Sequence, residues 1–216
     1  MNISGTPASS TRLISRRAAL GVVGLLWVSY TALQTLFVMG RIPEPWSAVL
    51  GLVPGIAGIA ALRGAGVSWR QFFLQVAPLS RGGLAVLTAI FVFALAAILP
   101  FGTWQGWNWA AGLVYAPASG VSQELFFRAV LLPALLLTLK ERPRLALILH
   151  AALFGLWHVG PFFVGAPIWA AVAVVLVPFV SGIGWGWQVK HDGTVLWAMV
   201  QHSLIWVIAG QFPMLE

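Results

Sequence analysis

Long apolar runs separated by short polar segments make up most of the chain. These runs extend over residues 18–40, 46–62, 83–100, 109–139, 145–163, 167–189 and 194–212. A transmembrane helix needs about 20 consecutive apolar residues, and most of the runs reach or approach that length. The pattern therefore predicts an all-α, polytopic bundle of about seven transmembrane helices.

The fourth run, residues 109–139, is longer than one span needs, and Pro117 interrupts it. Because proline lacks the amide hydrogen that a helix interior uses, we expect a tilted or broken helix here. A short re-entrant piece followed by a helix is the other interpretation. An eighth span is an alternative for the whole bundle.

The basic residues favour one orientation. If the N-terminus is cytoplasmic, the segments on that side hold ten of the 12 Lys and Arg residues: Arg12, Arg16, Arg17, Arg63, Arg70, Arg81, Lys140, Arg142, Arg144 and Lys190. The opposite segments hold only Arg41, and Arg128 lies inside a span. The positive-inside rule therefore predicts a cytoplasmic N-terminus and an outside C-terminus.

Composition excludes the soluble classes of protein. Hydrophobic residues make up 60% of the chain and charged residues only 8%, whereas a soluble domain has about 25% charged residues. The net charge of +7 therefore indicates contact with anionic headgroups of a lipid bilayer and no nucleic-acid partner. The absence of cysteine excludes a thiolate nucleophile and a Cys-ligated metal. Many Ala, Gly, Arg, Trp and Pro residues with few Lys suggest a bacterial inner membrane.

Two smaller features complete the membrane prediction. Tryptophans cluster near predicted interfaces, at Trp104, Trp107 and Trp109 and again at Trp185 and Trp187, as in an aromatic belt. His191 and Asp192 follow Lys190 in a predicted loop.

A few polar residues interrupt the apolar runs, where a charge needs a partner or a function. They are Glu124 and Arg128 in the fourth run, His158 in the fifth and His202 in the seventh, with His150 nearer a helix end. Glu124 and Arg128 are four residues apart and can pair on one helix face. A purely structural pair is one interpretation of them.

One carboxylate and two imidazoles on three helices also provide the groups that activate a water. A carboxylate can take the proton, one imidazole can orient the water, and another can support an oxyanion. Alternatively, Glu124, His158 and His202 could hold a divalent metal such as zinc with one open position. The chain has neither an HExxH nor a GxSxG motif, and no second motif supports Ser119, Ser122 or Ser203 as a nucleophile.

The same residues resemble a known family of intramembrane proteases. Gln123-Glu124-Leu125-Phe126-Phe127-Arg128 resembles its Glu-Glu-x-x-x-Arg motif, and Phe154-x-x-x-His158 matches its Phe-x-x-x-His motif. His202 stands where the closing His-x-x-x-Asn motif begins. On these motifs the chain resembles the CPBP family (CAAX proteases and bacteriocin-processing enzymes, also called Abi) over about residues 83–212.

This resemblance implies a membrane endopeptidase acting on a membrane-associated protein or peptide. It implies catalytic roles for Glu124, His158 and His202, and an anchoring role for Arg128. Two positions depart from the family. Gln123 replaces the glutamate that usually activates water, and Trp206 replaces the final asparagine.

Three functions follow as hypotheses. The first is an endopeptidase that uses a Glu/His-activated, or metal-bound, water. The second is a pseudoenzyme of the same fold that binds a membrane partner, and the third is a small transporter. We expect a cytoplasmic tail over residues 1–17, two N-terminal spans with a basic loop over 18–82, and a protease-like core over 83–216.

Overall fold

The computed structural model describes residues 14–104 and 106–211. Within these ranges the chain is helical and has no strand, which confirms the all-α prediction. Seven helices follow one another along the chain: α1 (Arg16–Val38), α2 (Glu44–Gly64), α3 (Arg81–Ile98), α4 (Gly112–Thr138), α5 (Pro143–Leu156), α6 (Ile168–Asp192) and α7 (Leu196–Ala209).

Five of the helices, α1, α3, α4, α5 and α6, lie in segments long and apolar enough to cross a membrane. The apolar parts of the other two, Val49–Gly64 and Leu196–Ala209, are shorter. The helices match the seven predicted runs, so the chain is an integral, multi-pass membrane protein. Its sidedness stays a prediction.

The fourth run forms one continuous helix. Two π-helical segments, Ala111–Tyr115 and Phe127–Leu131, alternate with the α-helical segments Ala116–Phe126 and Leu132–Thr138. Pro117 lies just after the first π segment, where the wider turn accommodates a residue without an amide hydrogen. The helix is therefore neither broken nor re-entrant between Gly112 and Thr138, and these residues supply no eighth span.

Small residues let α4 approach its neighbours closely. A Cβ atom on Gly55 of α2 would lie 2.8 Å from the side chain of Leu125. A Cβ atom on Gly120 of α4 would lie 2.7 Å from the backbone nitrogen of Ser203 on α7. Such glycine contacts are typical of helices that pack inside a membrane. The Gly120 contact brings the next turn of α4, which carries Glu124, against α7.

The connections at one end of the bundle are tied together by hydrogen bonds. The backbone nitrogen of Val195 donates to the carbonyl of Phe73 over 2.8 Å. The indole nitrogen of Trp197 donates to the carbonyl of Ala77 over 2.9 Å. These bonds fix the α2–α3 connection to the α6–α7 turn. Both connections belong to the predicted basic side.

The predicted loop at His191 and Asp192 is wrong, because both residues belong to the last turn of α6. The helix ends one residue later, at Gly193, whose φ of 72° suits glycine best. The Asp192 carboxylate accepts hydrogen bonds from Gln188 Nε2 at 3.1 Å and from His191 Nδ1 at 2.9 Å. These partners explain why a carboxylate can stay inside the helical packing.

Part of the predicted N-terminal tail lies outside the described residues, including Arg12. Arg16 and Arg17 already belong to α1, which begins two residues before the predicted span. The Ser15 side chain starts this helix by accepting a hydrogen bond from the Ala18 nitrogen over 3.1 Å. The division of the chain into a tail, two N-terminal spans and a core, with boundaries after residues 17 and 82, stays a prediction.

Candidate active site

Glu124 lies at the centre of a buried polar cluster formed by α4 and α7. Its Oε2 lies 3.0 Å from Arg128 Nε, and both side chains are fully buried. Its Oε1 accepts a hydrogen bond from His202 Nδ1 over 2.7 Å. The expected pairing of Glu124 and Arg128 is therefore present. Each carboxylate oxygen of Glu124 faces one partner, as a charge in a low-dielectric interior requires.

The contacts of His202 determine which of its ring nitrogens carries the proton. The indole nitrogen of Trp206 can only donate, and it donates to His202 Nε2 over 3.0 Å. The Nε2 atom is thus the unprotonated nitrogen, and Nδ1 carries the proton that Glu124 accepts. His202 is neutral in this arrangement, and neither ring nitrogen is left for another ligand.

His158, unlike His202, has a ring nitrogen that is free to accept a proton. It lies just after the end of α5, and its Nδ1 donates to the carbonyl of Phe154 over 2.9 Å. In a neutral imidazole the other nitrogen is then a proton acceptor. His158 therefore offers an unprotonated Nε2, whereas the corresponding lone pair of His202 is occupied by Trp206.

Aromatic rings connect the parts of the site. The Phe154 ring contacts the rings of His158 and His202 edge-on, at centroid distances of 5.0 and 6.1 Å. The Arg128 guanidinium lies over the same Phe154 ring at 4.1 Å, which stabilises its buried charge. Phe154 thus brings His158 next to the Glu124–His202 pair.

Trp185 belongs to the site, and its assignment to an interfacial belt is wrong. Its side chain is buried, and its ring stacks on His202 at a centroid distance of 4.6 Å. It also lies 5.0 Å from the Arg128 guanidinium. Trp187, two residues later, is 37% exposed, so it can still lie at an interface. Successive tryptophans on a helix point in different directions, and only Trp185 faces inward.

Gln123 is buried beside the cluster. Its amide nitrogen donates to Ser119 Oγ over 2.8 Å. Its Oε1 has no hydrogen-bond partner among the described residues. A buried carbonyl oxygen without a partner costs about 1–3 kcal/mol, which makes it an attractive position for a water or a substrate donor.

The donor set does not fit a metal ion. Both oxygens of Glu124 and both ring nitrogens of His202 already have partners. Of the three predicted ligands, only His158 then has a free ring nitrogen. Among residues 14–104 and 106–211, no group of three His, Cys, Asp or Glu side chains is arranged to hold a metal. A zinc site would therefore require His202 and Glu124 to give up their present partners.

Other residues differ from what the sequence analysis indicated. His150 lies one helical turn before Phe154 on α5 and is fully buried, yet neither ring nitrogen has a partner among the described residues. Its ring packs against α6 where Gly186 leaves room, since a Cβ atom there would lie 3.1 Å from His150 Nδ1. The sequence analysis did not assign Gln201 to the site. The presence of a glutamine in an apolar run could have indicated it. It accepts a hydrogen bond from Trp185 Nε1 over 2.7 Å.

A comparison with known protein families covers this region of the chain. Residues 103–208 match the family model described as type II CAAX prenyl endopeptidase Rce1-like. Residues 103–208 form an Rce1-like domain. The match contains Gln123, Glu124, His158, His202 and Trp206, and it confirms the resemblance to CAAX proteases.

The matched family is one of CAAX-type endopeptidases, so the match supports an intramembrane endopeptidase at the level of the family. Its match begins after α3, although the resemblance was expected to start near residue 83. Neither a curated protein nor a solved structure matches the chain.

Proposed function

We propose that this protein is an active endopeptidase that hydrolyses a peptide bond of a membrane-associated protein or peptide. The observation that carries the proposal is the Arg128–Glu124–His202–Trp206 series, which meets His158 at the Phe154 ring. A series of this kind holds a carboxylate and an imidazole rigidly in a site that excludes bulk water, where polar interactions are strongest.

His158 is the proton acceptor in the proposed reaction. A water donates one hydrogen to His158 Nε2 and the other to Gln123 Oε1, which lacks a partner among the described residues. The water oxygen attacks the scissile carbonyl carbon while His158 takes its proton. The C–N bond of the resulting tetrahedral intermediate then breaks, and the proton passes from His158 to the departing amine. No covalent enzyme intermediate and no metal enter this sequence.

Glu124 has a different role in this proposal from the acid/base role that its residue type suggested. Because Arg128 and His202 engage its two oxygens, we assign to Glu124 the positioning of His202. His202, held by Glu124 and stacked on Trp185, forms the wall of the site next to Phe154.

The family name suggests the first substrates to test. A prenylated CAAX peptide is the leading candidate, and bacteriocin leaders and C-terminal sorting tails follow. The protein in proteoliposomes should cleave a tagged candidate, and the variants Glu124→Ala and His158→Ala should not. Equal processing by all three proteins would exclude the protease proposal. The composition, with many Ala, Gly, Arg, Trp and Pro residues and few Lys, is the basis for proposing a bacterial inner membrane as the location.

A catalytically impaired relative is the second candidate function. Two observations favour it: the amide of Gln123 at the family's glutamate position, and the occupation of His202 Nε2 by Trp206. Such a protein would bind a membrane peptide without cleaving it. Binding of the tagged candidate to the wild type, with no product after prolonged incubation, would support this alternative.

A further inference from the structure

A surface pocket lies away from the candidate active site, between the α2–α3 connection and the C-terminal part of α4. Its volume is about 340 Å³, within the range of small-molecule sites. One wall is polar and contains Ser68, Arg70 and Gln71. The other wall is apolar and contains Pro133, Leu136 and Leu137. The pocket therefore suits a ligand with a polar and an apolar end.

The polar wall is held in a defined shape. Gln71 Oε1 accepts hydrogen bonds from the backbone nitrogen of Ser68 at 2.9 Å and from its hydroxyl at 3.0 Å. Its amide NH₂ group is then left to donate. Phe73, with a φ of 56°, ends this turn and is fixed by the hydrogen bond from the Val195 nitrogen. The amide donor of Gln71 is thus in place before any ligand arrives.

Arg70 supplies an available charge. Its guanidinium is exposed and has no hydrogen bond or ion pair with any other described residue. Arg63 differs, since it lies over the Trp69 ring at 5.0 Å and donates to the Val67 carbonyl. Trp69 is 59% exposed, as expected for a tryptophan at the headgroup level of a membrane. Arg70 directly follows Trp69, so a headgroup position for Trp69 puts the polar wall within reach of lipid phosphates.

We infer that this pocket binds an anionic phospholipid. The phosphate accepts hydrogen bonds from Arg70 and Gln71, and the first part of an acyl chain lies along Leu136 and Leu137. A lipid with a net negative headgroup is preferred because Arg70 leaves one positive charge that a zwitterionic headgroup only partly complements. This inference does not depend on protease activity.

The test uses the full-length protein in detergent and measures lipid binding by native mass spectrometry. Phosphatidylglycerol should bind more tightly than phosphatidylcholine, and Arg70→Gln should weaken phosphatidylglycerol binding about fivefold. Arg70→Lys, which keeps the charge, should retain most of the preference. The matched control is Arg144→Gln, which removes an exposed arginine from the start of α5, outside the pocket.

Three results would overturn the inference. The first is equal binding of the two lipids by the wild type. The second is an equal loss in Arg70→Gln and Arg144→Gln, which would indicate attraction to the whole basic surface. The third is displacement of bound phosphatidylglycerol by a cleavable peptide, which would assign the pocket to the substrate. Melting temperatures measured without added lipid should be the same for all variants, because Arg70 and Arg144 are exposed.

Discussion

Trp206 donates its indole N–H to Nε2 of His202, one helical turn before it on α7. This contact decides the protonation of the ring that also donates to Glu124. The tryptophan that replaces the family's asparagine therefore still supplies an N–H group. Unlike an asparagine, Trp206 also places an indole ring beside His202, and this residue is 38% exposed.

Replacing Trp206 by phenylalanine should free Nε2 of His202. Trp206→Phe removes the donor to Nε2, whereas Nδ1 keeps its proton because Glu124 still accepts it. We expect the ¹⁵N NMR signal of Nε2 to shift, that of Nδ1 to stay in place, and the free energy of unfolding to fall by about 1 kcal/mol. Trp206→Asn keeps an N–H donor and is the matched control. An unchanged Nε2 signal in Trp206→Phe would show that the indole does not donate to this nitrogen.

Removal of the proton acceptor should abolish most activity. His158→Gln keeps a polar side chain of similar size but cannot take a proton usefully, so the cleavage rate should fall by about 10²- to 10⁴-fold. His191→Gln is a suitable control, because the His191 side chain is 48% exposed and belongs to the last turn of α6, outside the buried polar cluster. The measurement is the rate of peptide cleavage in proteoliposomes. A rate for His158→Gln within about twofold of the wild type would move the proton-transfer role to another residue.

Gln123 should be the position at which activity can be gained. Gln123→Glu places a proton acceptor where the water is proposed to bind, so we expect the cleavage rate to rise by about tenfold or more. Gln123→Ala removes the hydrogen bond to the water and should lower the rate. If Gln123→Glu forms product and the wild type forms none, the natural protein is an impaired enzyme. A lower rate in Gln123→Glu than in Gln123→Ala would contradict the placement of the water.

The buried ion pair should cost stability when one partner is removed alone. Glu124→Leu leaves Arg128 charged and unpaired, and we expect the free energy of unfolding to fall by about 3–5 kcal/mol. The double variant Glu124→Leu/Arg128→Met removes both charges and should recover most of that loss. It should remain inactive, because His202 has then lost its acceptor. Thermal unfolding in detergent measures the first effect and peptide cleavage the second. A double variant as unstable as the single one would show that the pair does not act as a unit.

The sequence predicted the helices and the centre of the site because both have strong local signals. Apolar runs indicate transmembrane helices, and polar residues inside them are rare enough to stand out, as Glu124, His158 and His202 do. The i, i+4 spacing correctly predicted the Glu124–Arg128 pair. The continuity of α4 past Pro117 was not predictable, since π turns have no simple sequence pattern. The role of Trp185 was also missed, because a tryptophan near a helix end fits an interfacial belt equally well.

Gly83 near the start of α3 gives a further test of the packing at the basic end. A Cβ atom at this position would clash with the carboxylate of Asp192 and lie 2.9 Å from Leu79. Gly83→Ala should therefore destabilise the protein by about 1–3 kcal/mol, since the carboxylate must move away from its hydrogen-bond donors. Gly24→Ala on α1 is the matched control, because nothing lies within 4 Å of a Cβ atom there. That substitution should stabilise the helix by about 0.5–1 kcal/mol. Opposite shifts in the two melting temperatures would confirm the contact between Gly83 and Asp192, whereas equal shifts would contradict it.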